Sequence, residues 1–219
     1  MTTTKANAWR NPFIYLLAFT SGFSIMGIEL LAGRILAPFF GSSVHIWGSI
    51  ITVFMLSLSL GYLLGGKLST KSASLARYGL IFIIASITIL PIVTSSQWLM
   101  ETVFLAIEDS RYGSLVAATC LFFIPTIFLG MLSPYSVRLL VTTSNESGQV
   151  AGKLYFVSTL GSALGTIITS FYFVLWFDVD TIIISFSLLL GMLGLIAVAV
   201  SKLTVTSKIT ASQEGVNHA

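Results

Sequence analysis

Six apolar runs divide the chain, at 13–33, 44–64, 79–97, 113–133, 154–177 and 181–200, with short polar stretches between them. A bilayer crossing by an α-helix takes about 20 residues, so each run is long enough to span. Lys5 and Arg10 precede the first run as they would a signal peptide. Its apolar stretch exceeds the roughly 7 to 15 residues of a signal core, so an uncleaved helix is expected. The pattern predicts an all-α, polytopic membrane protein of six transmembrane helices. Residues 1–12 form an N-terminal segment, 13–201 the membrane domain, and 202–219, polar and without helical period, a disordered tail.

Composition agrees with that pattern. Hydrophobic residues make up 55% of the 219 and charged residues 9%, against roughly 25% charged in soluble domains. Six crossings use nearly the whole sequence and leave no room for a soluble catalytic domain. The net charge of +3 is scattered through loops, unlike the basic, aromatic-rich face of a nucleic-acid binder, so no nucleic-acid partner is expected. Cys120 is the one cysteine; inside an apolar run it is expected to be a small buried hydrophobe.

Charge in the loops orients the bundle, because cytoplasmic loops collect Lys and Arg. Lys5 and Arg10, then Lys67, Lys71 and Arg77, then Arg138 and Lys153, and finally Lys202 and Lys208 all fall on one side. The other side receives Glu101, Glu108, Asp109, Asp178 and Asp180. Both termini are therefore expected in the cytoplasm of a prokaryotic cell, with the chain in its inner (plasma) membrane and the lipid bilayer as its first partner.

Glycines four apart recur twice, Gly61 with Gly65 and Gly161 with Gly165. That spacing clears one helix face for the close approach of another backbone, here expected to be ordinary bundle packing with a mobile or dimeric interface as the alternative. The halves also share an outline. The first helix passes Gly33 and Arg34 to a break expected at Pro38 and a polar turn; the fourth passes Pro134 and Arg138 to another polar turn. Each is followed by the helix with a glycine pair, which suggests a 3+3 inverted repeat resembling half of a major-facilitator transporter. Pro134 and Arg138 are then a kinked helix end and a candidate gate.

Glu29 lies about 9 Å past the middle of the first run at 1.5 Å per residue. A charge there costs about 1 to 3 kcal/mol unless it is paired, hydrated or protonated. Arg34 follows five residues later, on a different helix face, since only neighbours three or four apart meet. Either the helix breaks near Gly33 and the two charges pair, or Glu29 answers to something else. His45 and Trp47 share its end of the membrane. One expectation is a structural clamp of Glu29, Arg34 and His45. The other is a site for a cation or proton, with Glu29 as acceptor, His45 as a proton-exchanging neighbour, and Trp47 and Tyr155 as further binding candidates. Trp47, near the interface, reads first as an aromatic-belt anchor and second as a ligand contact.

No catalytic constellation emerges: the sequence has no nucleophile elbow, Walker loop, HExxH or GxGxxG, and its histidines stand at opposite ends. No catalytic residue, metal site or cofactor is expected.

Residues 21–69, "SGFSIMGIELLAGRILAPFFGSSVHIWGSIITVFMLSLSLGYLLGGKLS", resemble the N-terminal membrane region of fused spermidine-synthase-like (major-facilitator/spermidine synthase) membrane proteins. In that family a Glu, an Arg, a glycine-serine turn, an aromatic and a G-x-x-x-G-G element come in this order. "IPTIFLGMLSPYSVRLL" and "GQVAGKLYFVSTLGSALGT" are similar to its second half, with Ser158 standing where the family pattern has Asn. The fused relatives continue into an aminopropyltransferase-type Rossmann domain, and here the sequence stops after the sixth run. The resemblance implies a non-enzymatic membrane module that transports, or helps transport, a small cation such as a polyamine, and it allows a homodimer. The alternative it implies is an anchor that docks a separate spermidine-synthase-like protein.

Overall fold

The computed structural model describes the backbone of residues 10–71, 73–141, 143 and 146–217, with side chains up to 203 except Lys71. Six helices in it are long and apolar enough to cross a membrane. They are α1 (Arg10–Phe40), α2 (Val44–Lys71), α3 (Leu75–Ala106), α4 (Ser110–Leu140), α5 (Ser147–Ile168) and α6 (Val179–Asn217). A π-helical turn, Thr169–Phe173, and a last turn, Val174–Trp176, extend α5. Connections of a few residues make successive helices antiparallel. We call the end where α1 begins and α6 finishes the near end, and the other the far end.

The boundaries depart from the sequence reading in instructive ways. The expected break at Pro38 does not occur: α1 runs through it to Phe40. Proline removes one hydrogen bond, and in the last turn the loss is local. The stop comes at Gly41, whose φ of +86° only glycine adopts freely. Its N–H closes on Ala37 O at 2.9 Å. The helix α6 continues past residue 202 to Asn217, where an irregular tail was expected.

The bundle is greasy outside and seamed with small polar groups inside. Met55, Leu63, Trp98, Leu105, Phe156, Leu175 and Trp176 are exposed, whereas Ser24, Ser57, Ser86, Ser114, Ser136 and Ser187 are buried. This is the distribution expected of helices that pack in lipid, where association depends on close backbone approach and hydrogen bonds. Cys120 follows the outer rule. Against expectation it is exposed, because α4 turns Ala117, Ala118, Leu121 and Phe122 inward.

The most buried spans are α1 and α4, and the least buried α5 and α2. Packing pairs α2 with α4, α1 with α5, and α3 with both α4 and α6. The glycine pairs make two of these seams. A Cβ on Gly61 or Gly65 would collide with the α4 backbone at Ile127, Gly130 and Met131; one on Gly161 or Gly165 would collide with the α1 backbone at Phe19 and Phe23. The third seam, α3 on α6, has Gly79 against Gly194 and a reciprocal serine bond. Ser86 Oγ donates to Ser187 O at 2.8 Å, and Ser187 Oγ to Ser86 O at 2.9 Å.

The helix ends are tied separately. Near the start, the Arg10 guanidinium donates to Leu139 O at 2.8 Å, and Tyr78 stacks on Tyr135 at 5.7 Å while its hydroxyl meets Ser136 at 2.5 Å. At the far end Asp109 caps α4, accepting from the Arg111 N–H at 2.9 Å and pairing with its guanidinium at 2.7 Å.

Candidate functional site

A cavity of about 480 Å³ lies among α1, α2, α4 and α5. These are the two most buried helices and the two least buried, so the cavity has a firm back and two exposed walls. Its lining changes along the bundle axis. Toward the near end stand Ser21, Ser133, Ser136 and Pro134, with Tyr62 and Tyr155 at 47% and 53% exposure on the two walls. The middle of α5 adds Ser158, Thr159 and Ser162, and the deep end is closed by Ile25, Met26, Leu58 and Leu129.

The α1 and α5 residues come together because glycines let these helices touch. A Cβ on Gly22 would strike the Ser158 carbonyl, so Ser158 and Ser162 sit at the seam rather than a side chain's width from it. Ser162 Oγ donates to Ser158 O at 3.1 Å, and Ser136 Oγ to Leu132 O at 2.7 Å. With the hydrogen spent on its own helix, each hydroxyl oxygen acts as an acceptor; that of Ser136 already receives the Tyr78 hydroxyl, and that of Ser162 is left to the cavity.

Glu29 stands one turn beyond the deep end. Positions 18, 22, 25, 29 and 33 form one stripe of a helix, with steps of four and three residues. Ala18, Gly22 and Ile25 of that stripe line the cavity, and Gly33 lies under the Trp47 ring, where a methyl would stand 2.7 Å from the indole. The carboxylate-bearing residue is thus bracketed by the cavity on one side and the Trp47 ring on the other. Helical side chains lean toward the N-terminus of their helix, which carries the Glu29 side chain back toward Ile25 and Met26. It is half-buried, and among the described residues no ion pair or hydrogen bond joins it.

That geometry removes the pairing with Arg34. The unbroken α1 keeps the two residues about 140° apart around the helix, and Arg34 is exposed. The expected clamp does not form either. His45 is exposed and bonded to its own neighbour Ser43, at 2.8 Å from Nε2. Of the binding candidates, Tyr155 lines the cavity, Trp47 caps the stripe, and Arg34 and His45 lie outside it. Pro134 is a wall residue, while Pro38 and Arg138 are exposed near opposite ends.

Apart from Ser158, noted only as standing where the family pattern has Asn, the hydroxyl set of Ser21, Tyr62, Ser133, Thr159 and Ser162 did not stand out in the sequence. Its signal was present in the spacing: Ser158 and Ser162 are four apart and interleaved with Gly161 and Gly165, so they border the face that packs. Among the described residues no group of three His, Cys, Asp or Glu side chains could hold a metal ion. Comparison of the chain with family models, curated proteins and solved structures finds no match.

Proposed function

We propose that this chain is a membrane module that moves, or helps to move, a small organic cation, with Glu29 supplying the counter-charge. The observation that carries the reading is one stripe of α1. An unpaired carboxylate within an apolar span sits directly beyond a hydroxyl-lined cavity. A carboxylate at that depth without a protein partner calls for a cation, a proton or water. The basic residues at the near end, with both termini, support placing that end in the cytoplasm, so the cavity faces inward. The resemblance to spermidine-synthase-like membrane proteins nominates a polyamine or related amine as the cargo.

Two features support reading the halves as an inverted repeat. Exchanging the first three helices with the last three turns the α2–α4 pairing into α5–α1, and each of those seams is made by a glycine pair. The test of the proposal is amine flux into proteoliposomes. Wild-type protein should carry a labelled amine, and Glu29→Gln should cut the rate at least about tenfold, the effect of losing one charge pair inside a membrane. Equal flux in the two proteins would remove Glu29 from the mechanism. No flux in either, with a separate synthase-like partner present, would leave the docking anchor.

A further inference from the structure

The charge inventory of the cavity bears on which cation it takes. Every lining residue is uncharged, and Glu29 is the one carboxylate on the α1 stripe that lines it. Glu101, Glu108, Asp109, Asp178 and Asp180 belong to the far end. At the near end Glu146 precedes α5, nine residues before Tyr155, which is about 13 Å along a helix. Among the side chains described, the other charged ones at that end are cationic. Arg138 comes two residues after Ser136, Lys153 two before Tyr155, and Arg10, Lys67, Arg77 and Lys202 are the others described there; Glu214, in the last turns of α6, lies outside the described side chains.

One ammonium can therefore be matched at the deep end, beside Glu29. Its first methylenes would lie against Ile25, Met26, Leu58 and Leu129. The remainder of the ligand, reaching toward the near end, meets hydroxyls. The Ser162 oxygen, its hydrogen committed to Ser158 O, accepts from an N–H, with the Ser158 hydroxyl beside it on the same wall; the Tyr62 and Tyr155 hydroxyls at the rim can donate to a carbonyl. That set offers an acceptor to an amide N–H and donors to its carbonyl. A second ammonium there would find acceptors but no counter-charge, and a buried charge is compensated only by pairing as well as hydrogen bonding.

We infer that the cavity selects an aminoalkyl cation with a single charge and a neutral, hydrogen-bonding tail, such as a monoacylated diamine, over the free diamine. The inference rests on the proposed role of Glu29 and adds the class of cation. The test is calorimetric titration of the full chain in nanodiscs, against empty nanodiscs, with N-acetyl-1,4-diaminobutane, 1,4-diaminobutane and n-hexylamine. The acetylated amine should bind about tenfold tighter than the diamine. Glu29→Gln should abolish its binding. Ser158→Ala combined with Ser162→Ala, a milder change for folding, should weaken the acetylated amine several-fold and leave n-hexylamine unmoved. Diamine binding as tight as or tighter than that of the acetylated amine, still lost in Glu29→Gln, overturns the single-charge inference and leaves the carrier reading standing. Binding indifferent to Glu29→Gln, or no binding of any probe, overturns both. An unchanged affinity in the double serine variant overturns the tail assignment.

Discussion

Alanine at two of the seam glycines should separate the structural seams from the cavity wall. In the α3–α6 seam a methyl on Gly79 would sit 2.5 Å from Gly194 O, 2.9 Å from Val198 Cγ2 and 3.0 Å from Ala197 Cβ. Ordinary contact begins near 3.4 Å, so the helices must part by about 0.9 Å. A gap of about 0.5 to 1 Å forfeits a quarter to a half of each contact's attraction, and overpacking of this kind costs about 1 to 3 kcal/mol. Two helical turns on, the Ser86–Ser187 bonds would lengthen as the seam opens. Gly79→Ala should therefore lower stability by about 2 kcal/mol in reversible SDS unfolding. Its amine affinity should stay at the wild-type value, because neither α3 nor α6 lines the cavity. Gly161→Ala meets the Phe19 backbone in the α1–α5 seam, and should lose comparable stability together with affinity, since Ser158 and Ser162 move with α5. Gly79→Ala within about 0.5 kcal/mol of wild type, or Gly161→Ala with unchanged affinity, would refute the reasoning.

Ser86→Ala should destabilise by about 0.6 kcal/mol and at most about 1.7, the range for hydrogen bonds between membrane helices. Adding Ser187→Ala should cost less than a second full increment, read by a double-mutant cycle in the same unfolding assay. The Arg111 side chain and backbone hold the Asp109 carboxyl down at about 2 against an ordinary 3.8. A depressed folded-state value means that its stabilisation is complete above about pH 4 and is lost as pH falls through about 2. Unfolding measured across that window should lose this component in Asp109→Asn. Cys120, exposed on α4, offers a single labelling site without mutation. A spin label there should collide with oxygen far more than with a polar nickel chelate, as a lipid-facing position must; the reverse order would place it against protein or water.

The six spans were legible because membrane burial imposes a length and an apolarity that composition alone reveals. The glycine pairs were legible as packing faces, though not which helix each would meet, since partners are set by the whole bundle. Pro38 misled because a proline looks the same in sequence whether it breaks a helix or occupies its last turn; Gly41, three residues later, was the better stop signal. Cys120 misled because in lipid an outward position suits a small apolar residue as well as an inward one. The site was half legible. Glu29 stood out as a charge in an apolar run, and helical spacing already disfavoured its pairing with Arg34. The serines did not stand out, because a membrane-helix serine bonded to its own backbone gives no sign of what its free lone pairs face.

The architecture also says which parts of the cavity can change width. A carrier must close one side of its site and open the other, and the back wall here is poorly suited to move: α1 and α4 are the most buried spans, and the Arg10 bond to Leu139 O ties their near ends together. The side walls α2 and α5 are the least buried, and each leans on one principal partner through a glycine seam. Around Gly61–Gly65 and Gly161–Gly165 the contact is backbone against backbone, while nearer the far end the Ser49–Ser114 bond at 3.1 Å and the Phe54–Phe122 ring contact hold α2 to α4, so α2 opens by tilting at its near end. The π-helical turn Thr169–Phe173 sits in α5 beyond its glycine seam, where a helix departs most readily from a straight course. Within the proposed reading, the glycines that fold the bundle also leave its two tyrosine-bearing walls as the elements able to open and close on Glu29.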